Sequence, residues 1–179
     1  MIQSSRIPKR RYIGQAMQMP MANLRMQWAR LEEIHAQSGY TGKRVLGIKV
    51  PYFQRSDDKW ALGQKVAFIE SVYLGMSLGT YMVNATPENP DLDMILLDGL
   101  QRLTALQQYW EGQFGVPGED GVVHFWGDLT SEEKAHFDRI TFAWVDTQYT
   151  KEEEAVEAYN RHNFGGTAHS EADRAVVRD

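Results

Sequence analysis

The sequence predicts an α+β domain, a small mixed sheet with helices packed around it. Three observations carry this. Segments of helical period alternate with short β-branched and aromatic runs along the chain. The apolar run 94–97 breaks at Asp98-Gly99 and passes into a helical pattern at Leu103, Leu106, Gln107 and Trp110. Thr130 with Glu133, and Thr150 with Glu153, have the spacing of a capping box, which marks a helix start.

Residues 1–20 lack periodicity, contain Pro8 and Pro20, and read as an arm. Leu24, Trp28, Leu31 and Ile34 then share one face of a helix over 22–37, which Ser38-Gly39 and Gly42 end. Residues 45–52 read as one strand closed by Pro51, with a loop over 54–58 behind it. In 60–74, Val66, Phe68, Ile69, Val72 and Tyr73 give a helix its apolar face, and Gly75 ends it. Residues 81–84 form a short strand, and Pro87, Asn89 and Pro90 mark a turn. The stretch 115–121, with Pro117 and its glycines, reads as a loop, and 122–126 as a strand. The capping boxes start helices over 130–137 and 150–162, with a β-branched and aromatic strand over 140–145 between them. After the glycine loop 164–167, residues 170–178 look like the first turns of another helix. From residue 45 the order is β-α-β-β-α-β-α-β-α. We divide the chain into a basic arm with an amphipathic helix, 1–42, and one α+β domain, 43–179.

Charged residues make up 24% and hydrophobic ones 42% of the 179 residues, as in an ordinary globular protein able to bury a core. No apolar run approaches the roughly 20 residues of a membrane span, and the polar, basic N-terminus has no secretory pattern. The expectation is a cytoplasmic protein, in the host cytoplasm if viral, with no membrane partner. The absence of cysteine excludes disulfides, thiolate metal sites and cysteine nucleophiles. With a net charge of −5, the chain does not bind DNA by bulk electrostatics. DNA contact would fall to the patch Arg6, Lys9, Arg10 and Arg11, whose plainer reading is a solvated terminus. There is no P-loop, no GxSxG elbow and no HExxH, and the five histidines include no close metal pair.

Three constellations carry chemistry. At Asp98-Gly99-Leu100-Gln101-Arg102 a buried strand enters a glycine turn and then a helix, whose free N–H groups and dipole favour an anion such as phosphate. Gly99 allows the tight turn, Arg102 can fork onto phosphate oxygens, and Asp98 can hold a metal-bound water or a ribose hydroxyl. The plainer alternative has Asp98 capping the helix and Arg102 paired with an acid. The second constellation is Val50 to Arg55 with Trp60 and Gln64, where aromatics and Arg55 can stack on a base or grip phosphate. Its plainer reading makes Phe53 and Trp60 core anchors. The third, Tyr159 to Thr167 with Ser170 and Glu171, is a helix ending in a double-glycine loop that can close over a ligand, or is an ordinary glycine C-cap.

In this order and spacing, the three segments resemble the DGQQR-motif domain of the GmrS half of GmrSD-type modification-dependent restriction enzymes, a branch of the ParB/sulfiredoxin fold. The family's Gln-Arg pair is matched by Gln54-Arg55, its aromatic by Trp60, and its helix with a glycine turn by Phe68 through Gly75 to Gly79. Its Asp-Gly-Gln-Gln-Arg-Leu-Thr signature is matched from Asp98 to Thr104, with Leu100 in place of the first Gln. Its aromatic, Asn and glycine loop are matched by Tyr159, Asn163, Gly166 and Ser170. The resemblance covers roughly residues 45–175. It implies a ParB/sulfiredoxin-like small sheet, with an NTP and Mg²⁺ as ligands. Carried over, Gly99, Gln101 and Arg102 bind phosphate, with Gln54, Arg55 and the Asn163 and Gly166 region completing the pocket. Asp98 and Asn163 position Mg²⁺, and Asp98 and Arg102 form the catalytic pair. Leu100 removes one amide from the signature, and with it any contact that side chain makes in relatives. The lack of cysteine rules out sulfiredoxin's thiol chemistry.

The reading is therefore a nucleotide-binding, NTP-hydrolysing domain acting in a DNA-related or restriction-related process. Because no HNH-type nuclease module follows before Asp179, such a domain is expected to act by itself or with a partner. Two alternatives stay open. One is a ParB-like DNA-binding protein or nuclease using residues 6–11. The other is a viral, phage-type factor that inhibits a host enzyme through a protein contact on the Leu24-to-Ile34 helix, where Met21, Met26 and Trp28 suit adaptable packing.

Overall fold

The computed structural model describes residues 14–54 and 56–164. The basic patch Arg6, Lys9, Arg10 and Arg11, and the expected helix over 170–178, lie outside them. The fold is α+β, as the alternating periods require. Strands β1 (Gln15–Pro20), β2 (Arg44–Val45), β3 (Ile48–Lys49), β4 (Thr80–Asn84), β5 (Ile95–Asp98) and β8 (Thr141–Thr147) form one sheet in the order β1-β8-β4-β5-β3-β2. Strands β6 (Gly115–Pro117) and β7 (Val123–Phe125) pair separately. The helices are α1 (Met21–Ser38), α2 (Leu62–Tyr73), α3 (Leu100–Trp110), α4 (Ser131–Arg139) and α5 (Glu152–Phe164). None of them is long and apolar enough to cross a membrane.

The sheet is mixed. β5 runs antiparallel to β4 and parallel to β3, while β8 runs parallel to β4 and antiparallel to β1. Strand β5 reads as unbroken apolar sequence because both its faces are covered. Leu96 joins a core with Leu24 of α1, Ile69 of α2, Leu103 of α3 and Phe137 of α4. Ile95 and Leu97 point the other way, into a smaller core with Ala155 and Ala158 of α5. Between β4 and β5 the register shifts, pairing Met82 with Asp98 and Val83 with Leu96, so the extra β5 residue falls at Leu97.

Three expectations need correction. Gln15–Pro20 is not arm but an edge strand, paired with β8 from Gln15↔Asp146 to Pro20↔Thr141. Its residues, three exposed and three half-buried without alternation, carry no strand signal. The single strand expected over 45–52 is a hairpin, β2 and β3, turned at Leu46 (φ 47°) and Gly47 (φ 74°). Two successive positive φ values make the tight two-residue connection whose twist suits a hairpin. The left-handed Leu46 is held by its N–H, which donates to Gln107 Oε1 at 2.8 Å, and by burial. Gly47 lies so close under α1 that a Cβ there would come within 2.5 Å of Leu31 Cβ. The stretch 115–121 is also not all loop, since Gly115–Pro117 pairs with Val123–Phe125. The other elements form within a few residues of their expected bounds. Thr130 does cap α4, accepting from the Glu133 N–H at 3.3 Å. Helix α5 begins at Glu152, two residues past Thr150.

The face of α1 that carries Met21, Leu24 and Leu31 is buried, so Met21 packs into the core, whereas Met26 is exposed. A fully buried side-chain amide, Asn84 at 0% exposure, ties the far end of β4 to its surroundings. Its Nδ2 donates to the carbonyls of Leu92 and Tyr149 at 2.9 and 3.0 Å, and its Oδ1 accepts from the Thr147 hydroxyl and the Tyr149 N–H at 3.0 and 2.7 Å. Removing that amide strands several buried backbone groups at once. Asn84→Leu should therefore lower unfolding stability by about 3 kcal/mol, read from urea denaturation. A loss below about 1 kcal/mol would contradict the latch role.

Asp146 on β8 has a carboxyl held above its ordinary value, first by burial and then by the nearby charge of Asp93, and its Oδ1 has no partner among the described residues. A raised acid binds its proton more tightly in the folded chain. Its contribution is most favourable below the unfolded value and is lost as pH rises through the folded one. Asp146→Asn should accordingly raise the melting temperature at pH 7 and bring a smaller gain at pH 4. An equal gain at both values would exclude titration of Asp146 as the cause.

Candidate functional site

The turn at the end of β5 is built by one close approach. Gly99 has φ 94° and ψ 10°, and a Cβ there would lie 2.4 Å from Tyr81 Cβ and 3.0 Å from Tyr81 Cα. Only glycine meets both conditions. The chain leaves β5, crosses against β4 and enters α3 within a single residue. Gly99 itself occupies the N-cap, no side chain caps the helix, and its first turn holds no acid. The positive end of the α3 dipole is thus not offset by the helix's own side chains.

Arg102 lies in that first turn. Its Nη2 donates to Asp98 Oδ2 at 3.0 Å and to the Thr80 carbonyl, and its Nε has no partner among the described residues. Gly79 flanks the guanidinium: a Cβ there would be 3.4 Å from Nη1. The Asp98 and Arg102 side chains are 31% and 25% exposed, so the pair faces solvent in part. Asp98 does not cap α3; it holds Arg102, the ion pair that the plainer reading expected with some nearby acid. Tyr81, packed against the turn, has its phenol pushed up by burial and stays neutral.

The other two constellations reach the carbonyls of the same strand. Gln54 Nε2 donates to the Leu96 carbonyl at 3.0 Å. Asn163 Nδ2 donates to the Tyr159 carbonyl at 2.9 Å and lies 3.5 Å from that of Leu97, the extra residue of the β4–β5 pairing. The Phe53 and Tyr159 rings meet at 5.4 Å and join the loop to α5. Gln101 is turned into the protein at 4% exposure, where its amide bonds the backbone of Ser56 and Trp60. Trp60 packs on Phe68 as a core anchor. Leu100 is buried in the main core, which suits an apolar side chain where the signature has an amide. Arg55, Gly166, Thr167, Ser170 and Glu171 lie outside the described residues. Sequence reasoning missed Thr80 and Tyr81, which act through a backbone carbonyl and a close packing contact that no residue type advertises.

No group of three or more His, Asp or Glu side chains among the described residues is placed to hold a metal. At the turn itself Asp98 is the carboxylate on hand. A groove of about 780 Å³ is lined by His35, Tyr40, Lys49 and Asp93 together with Pro51, Tyr52 and Phe53 of the second constellation and Ile95 of β5, and neither Asp98 nor Arg102 is in its wall.

These features define an α+β domain whose strand–glycine–helix turn collects chemistry-bearing side chains at the end of a central strand. The family model for the GmrSD restriction endonuclease N-terminal domain matches residues 35–141, more than half of the chain, and the chain belongs to that family. Membership ties it to restriction, a DNA-related process. No curated protein and no solved structure matches it. The matched stretch holds Gln54 and the Asp98–Arg102 turn but ends before α5 and Asn163.

Gly99→Ala should cost about 3 kcal/mol of unfolding stability, since a side chain there is strained by φ and driven into Tyr81. Urea unfolding checks this, and a change within about 0.5 kcal/mol would show that the turn relaxes freely.

Proposed function

We propose that the turn from Asp98 to Arg102 binds the phosphates of a nucleoside triphosphate and serves its Mg²⁺-dependent hydrolysis within a restriction process. The sheet is read, by the same resemblance, as one of ParB/sulfiredoxin type. The observation that carries the proposal is that one strand ties the three segments: Gln54 and Asn163 reach the Leu96 and Leu97 carbonyls of β5, and β5 runs through Asp98 into the uncapped start of α3 with Arg102.

In this reading the Asp98–Arg102 pair is a resting state. A partly exposed ion pair is worth only about 0–1 kcal/mol. A phosphate oxygen can therefore take Arg102 in a stronger, charge-assisted fork. The N–H groups at the α3 start add their dipole to the same anion. Arg102 thereby offsets charge that grows on the transferred group, and Asp98 is released from its partner. Mg²⁺ usually takes one or two carboxylates and draws its other ligands from phosphate and water. Asp98 fits the carboxylate role, and the amide oxygen of Asn163 is the atom left for such a cluster, since its Nδ2 is bonded to backbone. Bound there, the ion would neutralise phosphate charge. Gln54 and Gln101 shape the pocket wall through the backbone they hold.

The family's description as a restriction endonuclease domain favours a second reading, direct DNA contact, with residues 6–11 as the basic segment. Calorimetric titration of the full chain with each of the four NTPs and Mg²⁺, wild type beside Arg102→Ala, separates the two. Binding by wild type and at least about tenfold weaker binding by the variant is expected, as for loss of a charged hydrogen bond. No binding to any NTP would sink the nucleotide reading. Titration with duplex DNA at low salt tests the second, which fails if no complex forms.

A further inference from the structure

We infer that Gln101 is a positioning residue, one that registers the loop of residues 56–60 on the start of α3. The inference rests on the proposed phosphate site for its consequence but not for its geometry. Gln101 follows Leu100 in the first turn of α3, yet its side chain is only 4% exposed and turns inward. Its Oε1 accepts from the Trp60 N–H at 3.1 Å, and its Nε2 donates to the Ser56 carbonyl at 2.8 Å. The assignment of oxygen and nitrogen is forced, because a backbone N–H can only donate and a carbonyl can only accept. One primary amide thus imitates a peptide unit and ties down both sides of the Asp57–Lys59 turn.

No other common side chain does this at that length. Glu keeps the acceptor but, ionised, loses the donor. Asn is one methylene short, and Lys and Arg bring no acceptor. Other ties of this segment run elsewhere, from Gln54 to the Leu96 carbonyl, from Lys43 to Asp57 at 2.7 Å on the exposed side, and from Trp60 onto Phe68. Among the described residues, Gln101 links the loop to the start of α3. A phosphate held at Arg102 meets a wall whose place is set by Gln101, although Gln101 makes no contact with it.

The test uses the full chain with Gln101→Met and Gln101→Glu, and reads hydrogen exchange of the Trp60 amide relative to wild type at each pH. At pH 8 the Met variant, which offers the Trp60 N–H no acceptor, should lose at least about tenfold of that protection, and so should the Glu variant, whose ionised carboxylate keeps the acceptor but sets a second oxygen against the Ser56 carbonyl and drives the loop off α3. In the Glu variant a buried carboxyl facing a carbonyl has its pKa raised, so protonation toward pH 5 restores the donor and with it the protection. The Met variant should not recover. Arg102→Ala should keep Trp60 protected, which separates contact from positioning. Mg²⁺–NTP affinity should fall about tenfold in both Gln101 variants at pH 8. Unchanged Trp60 protection in both variants, or a Glu variant that does not recover in acid, overturns the inference. If wild type binds no NTP, the phosphate reading fails, and the exchange data alone still decide the role of Gln101.

Discussion

The approach of Gly99 to the backbone of Tyr81 is the constraint on which the rest depends. It lets β5 end and α3 begin without an intervening loop, hard against β4. Because the helix starts there, Leu100, Leu103 and Leu106 drop into the main core. For the same reason Arg102 comes within reach of the Thr80 carbonyl and of Asp98. A side chain at residue 99 would push α3 off the sheet and separate these groups together. The core and the site share one hinge point, so changes at the turn register both in stability and in any chemistry the site performs.

A second theme is the use of side-chain amides as substitutes for backbone. The strands are short, β2 and β3 only two residues each, and short strands leave carbonyl and N–H groups beyond their ends. Gln54 takes the Leu96 carbonyl, Gln101 the Ser56 carbonyl and Trp60 N–H, Gln107 the Leu46 N–H, and Asn84 the backbone of Leu92 and Tyr149. His35 serves the same purpose at the Gly47 carbonyl, at 2.8 Å. Amides suit this work because each offers both a donor and an acceptor without a charge to desolvate. Two of them, Gln54 and Gln101, belong to segments that carry the family resemblance. In this protein both hold backbone, while Arg102 is left partly exposed at the start of α3.

The Asp98–Arg102 pair is partly exposed, and as an ion pair it contributes only about 0–1 kcal/mol to stability. Leu100, the departure from the signature, faces the core.

Much of this was legible from the residues alone. The α+β class, the extent of α1, α2 and α3, the cap at Thr130 and the strand–glycine–helix turn follow from periodicity and turn chemistry, which are local properties of the chain. The sequence by itself also pointed to the restriction-related family, whose model matches residues 35–141. The tertiary structure decided what those residues hold. It split 45–52 into a hairpin, because the left-handed Leu46 is stabilised by Gln107, sixty-one residues away. It made an edge strand of Gln15–Pro20, because β8 supplies the partner that a strand without alternation cannot advertise. It turned Gln101 inward and set Arg102 on Asp98. Those choices depend on distant carbonyls and N–H groups, which every residue carries alike, so only the folded arrangement could assign them.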